Sequence, residues 1–176
     1  MRLFRRRPKL PADRRPALDP EERIVAWSPA GSGDDVVVLT NRGLWLPGRS
    51  GRLPWHEIHK AVWSGRELTV TPAEVLRVHD EYAVVADRPA ESYLLLDPGD
   101  VPHQVRTRVT GSVAHTVHHP LPGGGVRIVA RRVGGVDGLS WAVRYDPGTA
   151  YDDDEIRAAT VELVERFQRE STPSDL

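Results

Sequence analysis

Between Glu21 and Leu96 short apolar runs alternate with Gly, Pro, Asn and Asp, which predicts a series of short antiparallel strands. Ile24 to Ala26 and Val36 to Leu39 read as the first two. Thr40-Asn41-Arg42-Gly43 supplies a turn, and Leu44-Trp45-Leu46 returns as the third. Further strands are predicted at Lys60 to Trp63 and Glu67 to Thr71, joined through Ser64-Gly65-Arg66, then at Val75 to Val78, Tyr82 to Ala86 and Tyr93 to Leu96. Strands this short and closely spaced belong to a small barrel or sandwich.

The period then changes. Val101, Val105, Val109, Val113 and Val117 recur every four residues, which predicts a helix from 101 to 117 with Asp100 as its cap and Pro102 in its first turn. Pro122-Gly123-Gly124-Gly125 reads as a flexible hinge. Val126 to Val133 and Leu139 to Tyr145 read as a hairpin around Gly134 to Gly138, and a last helix follows. Asp152-x-x-Glu155 resembles a capping box, and Ile156, Thr160, Leu163, Val164 and Phe167 make one apolar face.

Composition narrows the classes. A chain of 176 residues can bury a core without covalent staples. The absence of Cys excludes a disulfide framework, a thiolate zinc site and a thiol nucleophile, and it fits a reducing compartment. No apolar run has the length of a membrane span, and Met1 to Lys9 leads into Leu10-Pro11-Ala12-Asp13 instead of an apolar segment, so neither a secretion signal nor a spanning helix is expected. A cytoplasmic location follows, peripheral to the inner face of the membrane if the basic start engages lipid.

Charge is unevenly placed. Residues 1–15 carry Arg2, Arg5, Arg6, Arg7, Lys9, Arg14 and Arg15 against Asp13 alone, whereas from Asp146 onward nine acids face three bases. With Pro8, Pro11, Pro16 and Pro20 interspersed and no period, residues 1–20 read as a disordered basic arm. Of the 24 basic residues only Lys9 and Lys60 are lysines, a skew typical of a GC-rich genome that weakens any argument from arginine abundance.

The order of Val36 to Val70 carries a resemblance. An apolar strand precedes Thr40-Asn41-Arg42-Gly43-Leu44-Trp45-Leu46, and Arg52-Leu53-Pro54-Trp55-His56-Glu57-Ile58-His59-Lys60-Ala61-Val62-Trp63 leads into Leu68-Thr69-Val70. This resembles the bacterial PH-like domains, and the whole chain resembles proteins of GC-rich bacteria. The resemblance implies a partly open antiparallel β-barrel over residues 21–118, one end plugged by the helix at Val101 to Val117. Residues 119–170 would be an appended hairpin and amphipathic helix, and 171–176 a tail. The expected class is thus α+β. Independently of any family, Trp55 and Ile58 are three apart, so one helical turn points both at the barrel and leaves His56, Glu57 and His59 to solvent. Trp45 and Trp63 are expected in the core or its rim, and Trp27 and Trp141 as the exceptions to packing.

Candidate chemistry is sparse. His56-Glu57-Ile58-His59 lacks the i, i+4 histidine pair of a zinc protease. His115, His118 and His119 at a helix end could share a metal, but no fourth ligand can be named, and a solvated helix terminus accounts for them as well. Gly48-Arg49-Ser50-Gly51-Arg52 is not a nucleophile elbow, and Gly123-Gly124-Gly125 lacks the following Lys of a phosphate loop. Asp152 to Glu155 is explained by capping. No catalytic, cofactor or metal residue is assigned, and the expected function is a non-enzymatic binding or scaffolding module for a protein partner. Its arm (Arg2, Arg5, Arg6, Arg7, Lys9, Arg14, Arg15) would attach it to an anionic membrane surface. The alternative is a nucleic-acid-associated protein using the arm with Arg131, Arg132 and Arg144; alternation weakens it, since Arg131 and Arg132 face opposite sides of a strand. The arm could equally be an unengaged solubilising tail, or fold onto the acidic last helix.

Overall fold

The first apolar runs form an antiparallel meander. In the computed structural model, which describes residues 8–172, β1 (Ile24–Ala30), β2 (Asp35–Thr40), β3 (Gly43–Trp45) and β4 (Leu53–Pro54) lie side by side in that order. Alternation sends Ala26 and Ala30 of β1 and Val37 and Leu39 of β2 into the interior. A 3-10 turn, Trp55–Glu57, then buries Trp55, whose Nε1 donates to Thr40 O at 3.1 Å, and delivers fully buried Ile58 to the same core.

Strands β5 (Ile58–Trp63), β6 (Glu67–Val78), β7 (Ala83–Asp87) and β8 (Glu91–Leu94) follow. β6 joins what the pattern divides into two strands. Its first part pairs with β5 and β8, and from Ala73 onward it pairs with β7. A bridge between Ala30 and Leu95 carries the pairing from β1 to the end of β8, so the sheet curls into a half-barrel. Helix α1 (Val101–Ser112) covers it, with Val101 and Val105 buried against Leu39, Leu44, Ile58, Leu68 and Val70. The expected α+β class holds, with two helices and a majority of strands.

The predicted helix is too long. α1 stops at Ser112, and β9 (Val113–Leu121) takes up Val113 and Val117. A spacing of four keeps one face of a helix and also one face of a strand, so the valines are compatible with both. Pairing of β9 along β10 (Gly124–Arg132) decides the matter in favour of strand. Asp100 at the helix start makes no capping bond to backbone; its Oδ2 accepts from Gln104 Nε2 at 2.9 Å.

Pro122-Gly123-Gly124-Gly125 is not a hinge. Leu121 and Gly124 are paired, and the two-residue turn between them uses the fixed φ of Pro122 and the positive φ (73°) of Gly123. Gly124 is required for space, because a Cβ there would collide with the side chain of Thr149. β11 (Leu139–Tyr145) completes the second region and pairs in parallel with β7 through Ala142–Ala83 and Val143–Val84, giving the order β7-β11-β10-β9.

Helix α2 (Asp154–Ser171) lies on one face of these strands. Val164, Leu163 and Phe167 pack with Tyr82, Val84, Val126, Ile128 and Val143. Its cap is Asp153 and not Asp152; Asp153 Oδ1 accepts from the backbone N–H groups of Glu155 and Ile156. Trp141, expected to be an exception to packing, meets Phe167 edge to face with centroids 5.6 Å apart. Among the described residues no helix is long and apolar enough to cross a membrane.

Arg2, Arg5, Arg6 and Arg7 of the basic arm lie outside the described residues. The rest of that segment is tied to the first sheet. Residues Ala12–Arg14 form a 3-10 turn, Arg14 donates to Gly33 O at 2.7 Å, and Asp19 pairs with Arg52 at 3.1 Å. Lys9 and Arg15 are exposed.

Candidate functional site

The face of β7, β11, β10 and β9 opposite α2 is concave and lined by arginine. In β10, Val126, Ile128 and Ala130 are buried on one side, which sends Arg127, Val129 and Arg131 to the other. The hairpin register places Arg144 of β11 directly opposite Arg127, and Ala142 opposite Val129. β9 adds His118 beside Arg127 and Thr116 beside Val129. Across the curl, the start of β5 contributes His59. Together these strands enclose a concavity of about 210 Å³ with Arg127, Arg131, Arg144, His59 and Thr116 on its walls and Val85, Val129 and Ala142 among its apolar lining.

Charges on this face are incompletely paired. Asp87, near the end of β7, is fully engaged: Oδ2 accepts from Arg144 at 2.7 Å and Oδ1 lies 2.7 Å from His59 Nδ1. Asp146 is held by His118 Nε2 at 2.7 Å. Arg131 donates to the Ser112 hydroxyl at 2.8 Å and meets no carboxylate among the described residues. Burial pulls the Arg131 guanidinium below its ordinary pKa. Arg127 has neither a hydrogen bond nor an ion pair among the described residues. The face therefore carries two guanidiniums without an acidic partner.

His59 was expected in solvent, but its side chain is only 10% exposed. Burial lowers its pKa from 6.5; Asp87 opposes the shift, and Arg131 and Arg144 add to it. Neutral His59 donates its Nδ1 proton to Asp87, which leaves Nε2 free to accept. His56 is lowered as well, first by burial and further by Arg131, against the opposing charge of Glu57.

No protein-family model, curated protein or solved structure matches the chain.

The sequence-predicted sites are otherwise dispersed. His115, His118 and His119 lie on β9 and not at a helix end, so the helical spacing that would let them share a metal is absent. His115 and His119 face α2, where His115 meets the Phe167 ring edge to face at 6.3 Å, while His118 points to the opposite side. Among the described residues no three His, Asp or Glu side chains are grouped to hold a metal ion. Arg132 is committed to structure: its NH1 donates to Gly111 O and Val113 O and so satisfies carbonyls at the end of α1. Arg127 was missed altogether. Its signal is present in the alternation Val126-Arg127-Ile128-Val129-Ala130-Arg131, which puts two arginines on one strand face; the adjacent pair Arg131-Arg132 draws attention away from it.

Proposed function

We propose that the chain is a non-enzymatic binding module of PH-like architecture whose partner presents an anionic group to the concave face. The half-barrel closed by α1 supports the PH-like reading, and the sheet added along β7 would supply the binding surface. One observation carries the functional reading: Arg127 and Arg131 share a concave face with no acidic partner for either. Arg131 is partly withdrawn from water, where a guanidinium without a counter-charge costs stability, and Arg127 stands exposed on the same strand face; a ligand that supplies the negative charge accounts for both.

The basic arm has an auxiliary place in this reading. Lys9 and Arg15, with the arginines before them, would give long-range attraction to an anionic membrane surface on the order of 1 kcal/mol per charge, weakened by salt. Arg14 contributes less, being held by Gly33 O.

Heparin binding at physiological salt, compared for the full chain, the chain lacking residues 1–16 and the R127Q/R144Q variant, tests the proposal. Loss in R127Q/R144Q with retention in the truncated chain is expected. Retention in R127Q/R144Q and loss on truncation would move the anion attraction to the arm and sink the concave-face reading.

A further inference from the structure

The concave face has features that narrow the anion. Its volume, about 210 Å³, lies below the roughly 300–1,000 Å³ of pockets that hold drug-sized ligands, so the part of a ligand seated in this open cleft is small. Asp87 already uses both oxygens on His59 and Arg144, which leaves the charges of Arg127 and Arg131 to be matched from outside. Two unmatched guanidiniums fit a doubly charged anion better than a carboxylate. Guanidinium groups arriving from two strands also suit an oxygen-rich tetrahedral centre, which can accept paired N–H donors on more than one side. Between the arginines, Val129 and Ala142 are short and apolar, and they give a carbon-bearing substituent a surface to lie on.

Resting on the anion-binding reading above, we propose that the cleft formed by Arg127, Arg131, Arg144 and His59 is a site for a phosphate monoester dianion. Arg127 and Arg131 flank Val129 on β10, and Arg144 and His59 stand together where both bond Asp87. Thr116 offers a hydroxyl on the β9 wall, and the organic part of the ligand lies over Val129 and Ala142. Arg127 is the most informative residue, because its replacement breaks no side-chain hydrogen bond or ion pair among the described residues.

Calorimetric titration of the full chain with glycerol 3-phosphate, inorganic phosphate, dimethyl phosphate and acetate tests the assignment. Saturable binding of the first two is expected, with dimethyl phosphate and acetate at least roughly tenfold weaker because each carries a single charge. R127Q and R131Q should each weaken glycerol 3-phosphate roughly tenfold or more. R127Q guards against a folding artefact, and an unchanged far-ultraviolet circular dichroism spectrum for each variant completes that control. Vesicles containing phosphatidic acid, which bears the same monoester, form a parallel arm. Binding to the vesicles and not to glycerol 3-phosphate, lost in R127Q, places the headgroup of a lipid in the cleft; the reverse places a soluble ester there.

Binding of acetate as tight as that of glycerol 3-phosphate would overturn the dianion assignment, as would binding unaffected by both R127Q and R131Q. Failure of every monoester while R127Q/R144Q still abolishes heparin binding would end this inference and leave the broader anion-binding reading in place. Failure of both would end both.

Discussion

Arg127 and Arg144 stand directly opposite each other on β10 and β11, two like charges at one position of the antiparallel register. Arg144 is neutralised by Asp87 at 2.7 Å, so Arg127 is the uncompensated member. Like charges in this arrangement are destabilising, by up to about 1 kcal/mol. In dilute chloride buffer, R127Q should therefore be more stable than the parent, by roughly 0.5 kcal/mol or about 1–2 °C in Tm. The gain should shrink as salt is raised. Thermal unfolding across a salt series measures it, and a clear loss of stability would mean that Arg127 has a structural partner.

Glu22 organises the segment that leads into β1. Its buried carboxylate accepts from Thr40 Oγ1 at 2.7 Å, Trp45 Nε1 at 3.0 Å and Arg52 NH1 at 2.6 Å. Burial would raise its pKa, but bonds from Thr40, Trp45 and the Asp19 N–H, with the Arg52 charge, together bring it below 4.5. The stability this provides is present above about pH 4.5 and is lost as pH falls through the lowered folded value. Removing the charge should be costly. E22Q should lose about 3 kcal/mol in a denaturant titration at neutral pH, and the difference from the parent should narrow in acid.

His56 and His59 set a second pH dependence, of the same direction and at higher pH. Both are held below 6.5, so the folded state binds fewer protons than the unfolded chain once pH falls under that value. Their contribution is complete above about pH 6.5 and is lost on acidification through the folded pKa values. Asp87 and Glu57 oppose the shifts, while Arg131 and Arg144 strengthen them. Melting temperature should accordingly fall between pH 7.5 and 5.5, and H56Q/H59Q should flatten that slope. An unaltered slope in the double variant would assign the dependence to other groups.

Gly124 tests the tightness of the junction between β10 and the loop before α2. An Ala there would meet both the side chain and the backbone of buried Thr149, whose hydroxyl also bonds the Gly125 N–H at 3.2 Å. G124A should cost about 1–3 kcal/mol by equilibrium unfolding. At Gly51, where a Cβ would meet nothing within 4 Å, the same replacement should cost less.

Local signals were strong enough to be read where a residue's fate depends on its neighbours in the chain. The turn at Thr40 to Gly43, the buried pair Trp55 and Ile58, the hairpin of β10 and β11, and the apolar face of α2 all follow from alternation, turn chemistry and helical spacing. The end of α1 was illegible for a definite reason: valines four apart suit both periods, and only the presence of β10 beside Val113 to Leu121 makes strand the better choice.

The arginine face lies beyond what spacing can show. Alternation along β10 determines by itself that Arg127 and Arg131 share a side, and the β10–β11 hairpin places Arg144 with them. That His59 and Asp87 join the group depends on contacts across widely separated segments: β6 passes from β5 to β7, and β11 docks in parallel along β7. Because α2 supplies the apolar cover on one side of that sheet, the arginines are left on the other, concave and short of counter-charge. Sequence determined which residues share a strand face; tertiary structure decided which faces meet, since sheet order and curvature depend on pairing between distant segments.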